Sequence, residues 1–194
     1  MKNLIIIILL INTQCVAQNT NNMKDNINVT FSSGQEKNII DGIIPVILTI
    51  ENNTDQEISI LLYYPNPNDL SFDCQQVSVK KKERGWNFSQ RSAPIKIPMG
   101  ETYKITYFLG RYFNFLKVGE VKISYNLNLN VITQNSKSEN ILYEGSFPIQ
   151  IGNGTNEELK KQISYYRINL KSKDRKIKIE AEEALFYLNS AHEN

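Results

Sequence analysis

Apolar and polar residues alternate with a period of two over two long stretches. From Val121 to Leu129, the residues Val121, Ile123, Tyr125, Leu127 and Leu129 share one face, and Lys122, Ser124, Asn126, Asn128 and Asn130 share the other. A helix would need apolar residues three and four apart, where this stretch places asparagines, so the pattern predicts a half-buried antiparallel strand. Tyr103–Leu109 alternates too, with Tyr103, Ile105 and Tyr107 opposed to Lys104, Thr106 and Phe108. Turn chemistry precedes both strands, at Pro98-Met99-Gly100-Glu101 and at Lys117-Val118-Gly119-Glu120. Between them, Arg111-Tyr112-Phe113-Asn114-Phe115-Leu116 predicts a loop that turns its rings inward over one open end.

The same pattern supplies partners upstream. Ile27–Phe31 alternates, and Pro45–Glu51 puts Val46, Leu48 and Ile50 on one face. The turn residues Asn52–Asp55 lead into a returning strand over Ile58–Tyr64. Pro65 to Asp69 is irregular, because two prolines remove donors and fix φ. Asn66, Asn68, Asp69 and Asp73 carry oxygen donors, but their spacing matches no calcium loop and no metal is expected. Gln75–Lys82 and Trp86–Gln90 predict the two arms of a hairpin, with Val77 and Val79 on one face of the first arm and the turn at Lys81–Gly85. Asn140–Ile151 predicts a last strand, with Tyr143, Gly145, Phe147, Ile149 and Ile151 on one side and Pro148 marking an edge position.

After Gly152 the period changes. Thr155-Asn156-Glu157-Glu158 is a capping box, followed at helical spacing by Leu159, Ile163, Tyr166 and Leu170. A second helix carries Ile177, Ala181, Ala184, Leu185 and Leu188 on one stripe. This two-helix hairpin is expected to dock on the β unit or on a partner.

The phrase from Ile95 to Glu101, then a strand, an aromatic loop and Gly119–Ile123, resembles the late strands of bacterial immunoglobulin-like domains over about residues 40 to 151. Those domains carry tyrosine where Val121 stands. Leu170, Ser172, Asp174, Ala181, Ala184, Leu185 and Leu188 together resemble a single HEAT-type repeat, which alone buries no solenoid core. These resemblances imply a mainly β protein: an immunoglobulin-like antiparallel β-sandwich over 27–152 with a C-terminal two-helix hairpin over 153–194. They imply almost nothing about function.

Met1-Lys2-Asn3 is a short basic stretch, and Leu4–Ile11 is continuously apolar but far short of the ~20 residues that span a bilayer. Cys15-Val16-Ala17 then offers small residues to a signal peptidase. Residues 1–17 thus read as a signal peptide and 18–26 as a flexible leader, for a periplasmic or secreted protein with no membrane insertion after cleavage. A rival reading lipidates Cys15 and makes the chain an outer-membrane lipoprotein. Against it, Gln14 stands where lipoprotein signals carry a small residue, and Asn12 where leucine is usual.

Composition narrows the chemistry. With 22 basic and 20 acidic residues the net charge is +2, which shows no preference for nucleic acid. Past residue 17 the one cysteine is Cys74 and the one histidine is His192. That leaves no zinc or haem spacing, and a Ser-His or Cys-His set would have to use the last residues of the chain. No glycine-rich phosphate loop follows a strand, and no cofactor is expected. Carboxylates are numerous enough to keep a paired-carboxylate hydrolase open. The reading that results is an exported, non-catalytic protein-binding module, such as an inhibitor or immunity-type protein. The alternative is a cell-envelope structural or glycan-binding (lipo)protein, which would display the rings of Tyr63, Tyr64 or Trp86. Candidate binding residues are Lys80, Lys81, Lys82, Arg84, Trp86 and Phe88: a basic run to steer a protein partner, and aromatics to anchor it. A competing role for Trp86 is core packing.

Overall fold

The computed structural model describes residues 23–62, 69–82, 94–135 and 137–192, with side chains through Tyr187. The signal peptide, Cys15, Tyr63, Tyr64, Arg84, Trp86 and Phe88 lie outside the described residues. The protein is mainly β, with two C-terminal helices. Eleven strands are described: β1 (Ile27–Ser33), β2 (Asn38–Ile39), β3 (Pro45–Asn52), β4 (Ile58–Leu61), β5 (Leu70–Asp73), β6 (Val79–Lys81), β7 (Ile95–Ile97), β8 (Thr102–Phe108), β9 (Phe113–Phe115), β10 (Gly119–Thr133) and β11 (Ser138–Gly152). Helices α1 (Asn156–Asn169) and α2 (Arg175–His192) follow.

The alternation around Ile123 becomes β10, which continues past Leu129 through buried Val131 to Thr133. One edge of β10 pairs with β11 in an antiparallel register that sets Ile123 opposite Phe147. The other edge serves two strands in turn, β5 along Ser124–Leu127 and β4 along Asn130–Thr133. β4 carries β7, and the end of β11 receives β2 in parallel. In a second sheet, β3 lies between β1 and β8 with both pairings antiparallel. Val46, Leu48 and Ile50 are fully buried, as their alternation requires, in one core with Val121, Ile123, Leu127 and Leu129. Phe31 sits at its centre, 5.4 Å from Phe72, 4.5 Å from Tyr125 and 5.5 Å from Phe147 between ring centroids.

Turn chemistry takes the expected form at two sites. Gly100 adopts φ of 75°, which a residue with a Cβ rarely does, and donates its N–H to the Asn52 carbonyl. Asn52 is wholly buried, and its side-chain amide donates to the carbonyls of Gln56 and Ile97. That clamps the β3–β4 turn to β7. Elsewhere the structure departs from the pattern. β5 is an added strand in a stretch to which the pattern assigns no element, and Met23–Asn26, assigned to the leader, forms a 3-10 turn with Lys24 over the Tyr143 ring.

The helices dock on the β unit through a cluster separate from the main core. Ala181 and Ala184 have no exposed surface, and with Tyr166 and Tyr187 they enclose Ile43 and Phe108. Ile177, expected on this stripe, is instead 41% exposed, and Tyr187 fills the inward position. Close approach depends on Gly42, where a Cβ would stand 2.3 Å from Ile39 Cγ1 and 2.6 Å from Gln162 Oε1. The space lets Gln162 Oε1 accept the Ile43 N–H at 3.1 Å. At the start of α1 the capping box is complete, with Thr155 Oγ1 accepting from Glu158 N and Glu158 Oε2 accepting from Thr155 N. Glu158 also accepts from Lys37 at 2.6 Å. At α2, Arg111 pairs with Glu183 at 3.2 Å, with side chains 5% and 14% exposed, and its guanidinium lies 5.8 Å from the rings of both Tyr112 and Tyr187. Burial pushes the Tyr187 phenol well above its ordinary pKa, so it stays protonated beside the pair.

Two expectations follow. The Lys37 hydrogen bond and the Thr155 N–H hold the Glu158 carboxyl at about 2, below its ordinary 4.5. Because the folded pKa is depressed, this contribution is whole above pH 4.5 and is lost as the pH falls towards 2. Glu158→Gln should therefore flatten the fall of Tm with acid across that window while leaving the slope above it unchanged. For the buried pair, Glu183→Leu alone strands the Arg111 charge and should cost about 3 kcal/mol, whereas Arg111→Met with Glu183→Leu should recover most of it. Urea melts of the two singles and the double measure the coupling.

Candidate functional site

The basic run was expected on a hairpin formed with Trp86–Gln90, an arm that lies outside the described residues. Among the described residues β6 pairs with β9, setting Val79 opposite Phe115, Lys80 opposite Asn114 and Lys81 opposite Phe113. One partner of the lysine-bearing arm is thus the aromatic connection, more than thirty residues downstream in sequence. This ribbon is stiffly founded. Val79, Phe113 and Phe115 are buried, Tyr112 packs edge-on to Phe72 at 5.0 Å, and Phe113 packs on Phe115 at 6.0 Å.

On this footing the three lysines part company. Lys80 is exposed, and its ammonium has no hydrogen bond or ion pair to any described residue. Lys81 Nζ donates to Asp73 at 2.8 Å, and that hydrogen bond lowers the Asp73 pKa. The bond also commits Asp73, one of the oxygens considered for calcium. Lys82 turns inward: its Nζ donates to the Gly110 carbonyl at 2.6 Å, its N–H bonds the Tyr112 carbonyl, and desolvation lowers its pKa. Of the described members of the expected basic patch, Lys80 is thus exposed, Lys81 is paired with Asp73 and Lys82 is turned inward. Its other proposed members, Arg84, Trp86 and Phe88, lie outside the described residues.

What the ribbon presents instead is apolar. Val77, paired by alternation with buried Val79, is 94% exposed; Leu116 and Val118 are 57% and 47% exposed. Backbone and amide bonds hold the three together. Leu116 N donates to Ser78 O at 2.8 Å, Gln76 Nε2 donates to Glu120 O at 3.3 Å, and Lys122 N donates to Gln76 Oε1 at 2.9 Å. The turn bearing Val77 is thereby laced along the segment bearing Leu116 and Val118. Lys80, Lys117, Glu120 and Lys122, on the same segments of chain, are exposed as well. An apolar centre in a charged rim, on a backbone already hydrogen-bonded, has the composition of a protein interface. The sequence held a signal for it: in Leu116-Lys117-Val118-Gly119, two large aliphatics stand where a turn normally places polar residues.

No family model matches the chain, and no curated protein matches it. Solved structures give distant likenesses. A Northeast Structural Genomics Consortium target, SoR45, is 10% identical with a TM-score of 0.38, over 66% of this chain and 88% of that one. BslA, a bacterial hydrophobin, is 9% identical with a TM-score of 0.34, over 66% and 97%. A mutant β-glucosidase from Listeria innocua is 14% identical with a TM-score of 0.27; the match spans 66% of this chain but only 16% of the enzyme. At these scores none of the three assigns this chain a fold family or an activity.

Proposed function

We propose that this chain is an exported, non-catalytic protein-binding module of immunoglobulin-like build, of the inhibitor or immunity type, that meets its partner with the Val77–Leu116–Val118 end. The observation that carries the reading is the exposure of those three aliphatics on a ribbon whose backbone is already bonded and whose underside is buried. A surface fixed in advance loses little conformational freedom on binding, which favours affinity. The lysine rim fits a partner with an acidic border and would act mainly on the rate of association. Export rests on Leu4–Ile11 and Cys15-Val16-Ala17, with the mature chain starting at Gln18.

The immunoglobulin-like build is supported by strand order. β1, β3 and β8 match the A, B and E positions of one sheet; β11, β10 and β4 match G, F and C of the other. β7 takes the position beside C, and β2 lies parallel to β11 as an A strand does when it crosses to the G edge. β5, β6 and β9 are additions to that plan, and two of them build the proposed face.

A photo-crosslinking amino acid at Val77, introduced in the producing organism, should trap one defined protein. The same residue at Leu142, 45% exposed on β11, should not. Leu116→Lys should abolish the adduct and leave stability within about 0.5 kcal/mol, as surface changes do. Equal trapping at both positions, or an adduct indifferent to Leu116→Lys, rejects the reading.

A further inference from the structure

A second surface, sharing no residue with the β6–β9 ribbon, has a different chemistry. Where α1 and α2 lie against the outer face of β3 and β8, they leave a cleft of about 520 Å³. Its floor is Ile47 and Thr106, which are register partners across the two strands. Its walls are Gln35 from the loop after β1, Lys161, Gln162, Tyr165 and Tyr166 from α1, and Glu180 from α2. The volume lies within the range of small-ligand sites, about 300–1,000 Å³.

The polar groups are held in place and incompletely used. Gln162 Oε1 accepts from Ile43 N, and one Nε2 hydrogen goes to Gln35 Oε1 at 3.3 Å. Gln35 Nε2 donates to Asn38 Oδ1 at 3.0 Å and to the Ile43 carbonyl at 2.9 Å. Counting donors and acceptors, one Gln162 hydrogen and one lone pair on each of the two amide oxygens remain. Tyr166 is buried, its ring packed edge-on to Phe108 at 6.0 Å, and its hydroxyl has no partner among the described residues. Burial and the nearby Glu180 carboxylate keep that phenol protonated, able both to donate and to accept. Tyr165 stands edge-on to Tyr166 at 5.1 Å and is 60% exposed, offering a ring face to solvent.

We propose that this cleft binds a neutral oligosaccharide segment, with Tyr165 as the stacking platform and the Gln35–Gln162 pair and Tyr166 as hydroxyl readers. A sugar hydroxyl donates and accepts at once, so it is matched by amide and phenol groups that keep one capacity of each kind. The C–H face of a pyranose is apolar and covers an aromatic ring. Lys161 and Glu180 bring opposite charges, which disfavours a strongly anionic or cationic ligand and suits a neutral one. A flat protein surface would use neither the depth of the cleft nor the preset amides.

The test titrates 15N-labelled protein with N-acetylchitobiose, cellobiose and maltose, and follows the glutamine side-chain amide resonances. At least one disaccharide should shift the Gln162 amide saturably below about 10 mM, and Tyr165→Ala should weaken that binding roughly tenfold or more. Tyr165 is exposed, so the fold survives its loss, which the amide spectrum itself verifies. Three results overturn the proposal: no saturable shift with any of the three, a shift that Tyr165→Ala leaves unchanged, or tighter binding of an oligogalacturonate that depends on Lys161. None of these results bears on the Val77 crosslink, so the two proposals stand or fall separately.

Discussion

A strand of fifteen residues in the middle of a sheet must satisfy its backbone along both edges, because buried N–H and C=O groups left unpaired each cost free energy comparable to a lost hydrogen bond. β10 meets that demand with one long partner and two short ones. β11 runs the length of the first edge, while β5 and β4 divide the second. Much else follows from the division. β4 and β5 lie end to end along that edge, and after β5 the chain departs from it before returning as β7 beside β4. That excursion is where β6 arises and finds β9. The proposed binding face is thus a by-product of how one strand is served by three.

The helical hairpin obeys a different constraint. Its small residues, Ala181 and Ala184, bring α2 close enough for Tyr166 and Tyr187 to close over Phe108 and Ile43. The Arg111–Glu183 pair then fixes which way α2 lies, since a buried guanidinium accepts few positions for its carboxylate. Hydrophobic contact supplies the attraction and the ion pair supplies the orientation. Lys176, which donates to the Lys104 carbonyl and lies 4.7 Å from the Tyr103 ring, adds a second point of reference on the exposed edge of β8. That lysine also covers part of an edge strand that would otherwise invite another chain.

Local periodicity was legible; non-local pairing was not. The faces of β3, β8, β10 and β11, the glycine turn at Gly100 and the capping box at Thr155 all follow from neighbours in sequence. β5 escaped because Leu70-Ser71-Phe72-Asp73 holds only two apolar positions beside an Asn-Pro run, too few to establish a period. The pairing of the lysine arm with β9 escaped for a related reason. Trp86–Gln90 is adjacent and alternates, whereas Phe113–Phe115 is remote and reads as a loop. Val77 shows the same limit, since its alternation with Val79 is real but the strand begins only at Val79. Nothing local marks Tyr187 rather than Ile177 as the buried residue of α2, because that depends on the angle at which the helix meets Phe108. The cleft beside α1 combines Gln35 with Gln162 across 127 residues, a juxtaposition that only the folded topology creates.

The loop between β1 and β3 has a further consequence, for the order in which the protein folds. Ile43 N bonds Gln162 across 119 residues, Lys37 meets Glu158 across 121, and β2 finds its strand partner among the described residues at Ile151 and Gly152. An early segment therefore stays without its partners until nearly the whole chain is available. Contacts of such long range slow folding, because the entropy of closing the loop is spent before any bond repays it. β1 and β3 can pair early, but the loop between them waits, and the last helices to arrive complete the first loop to be made.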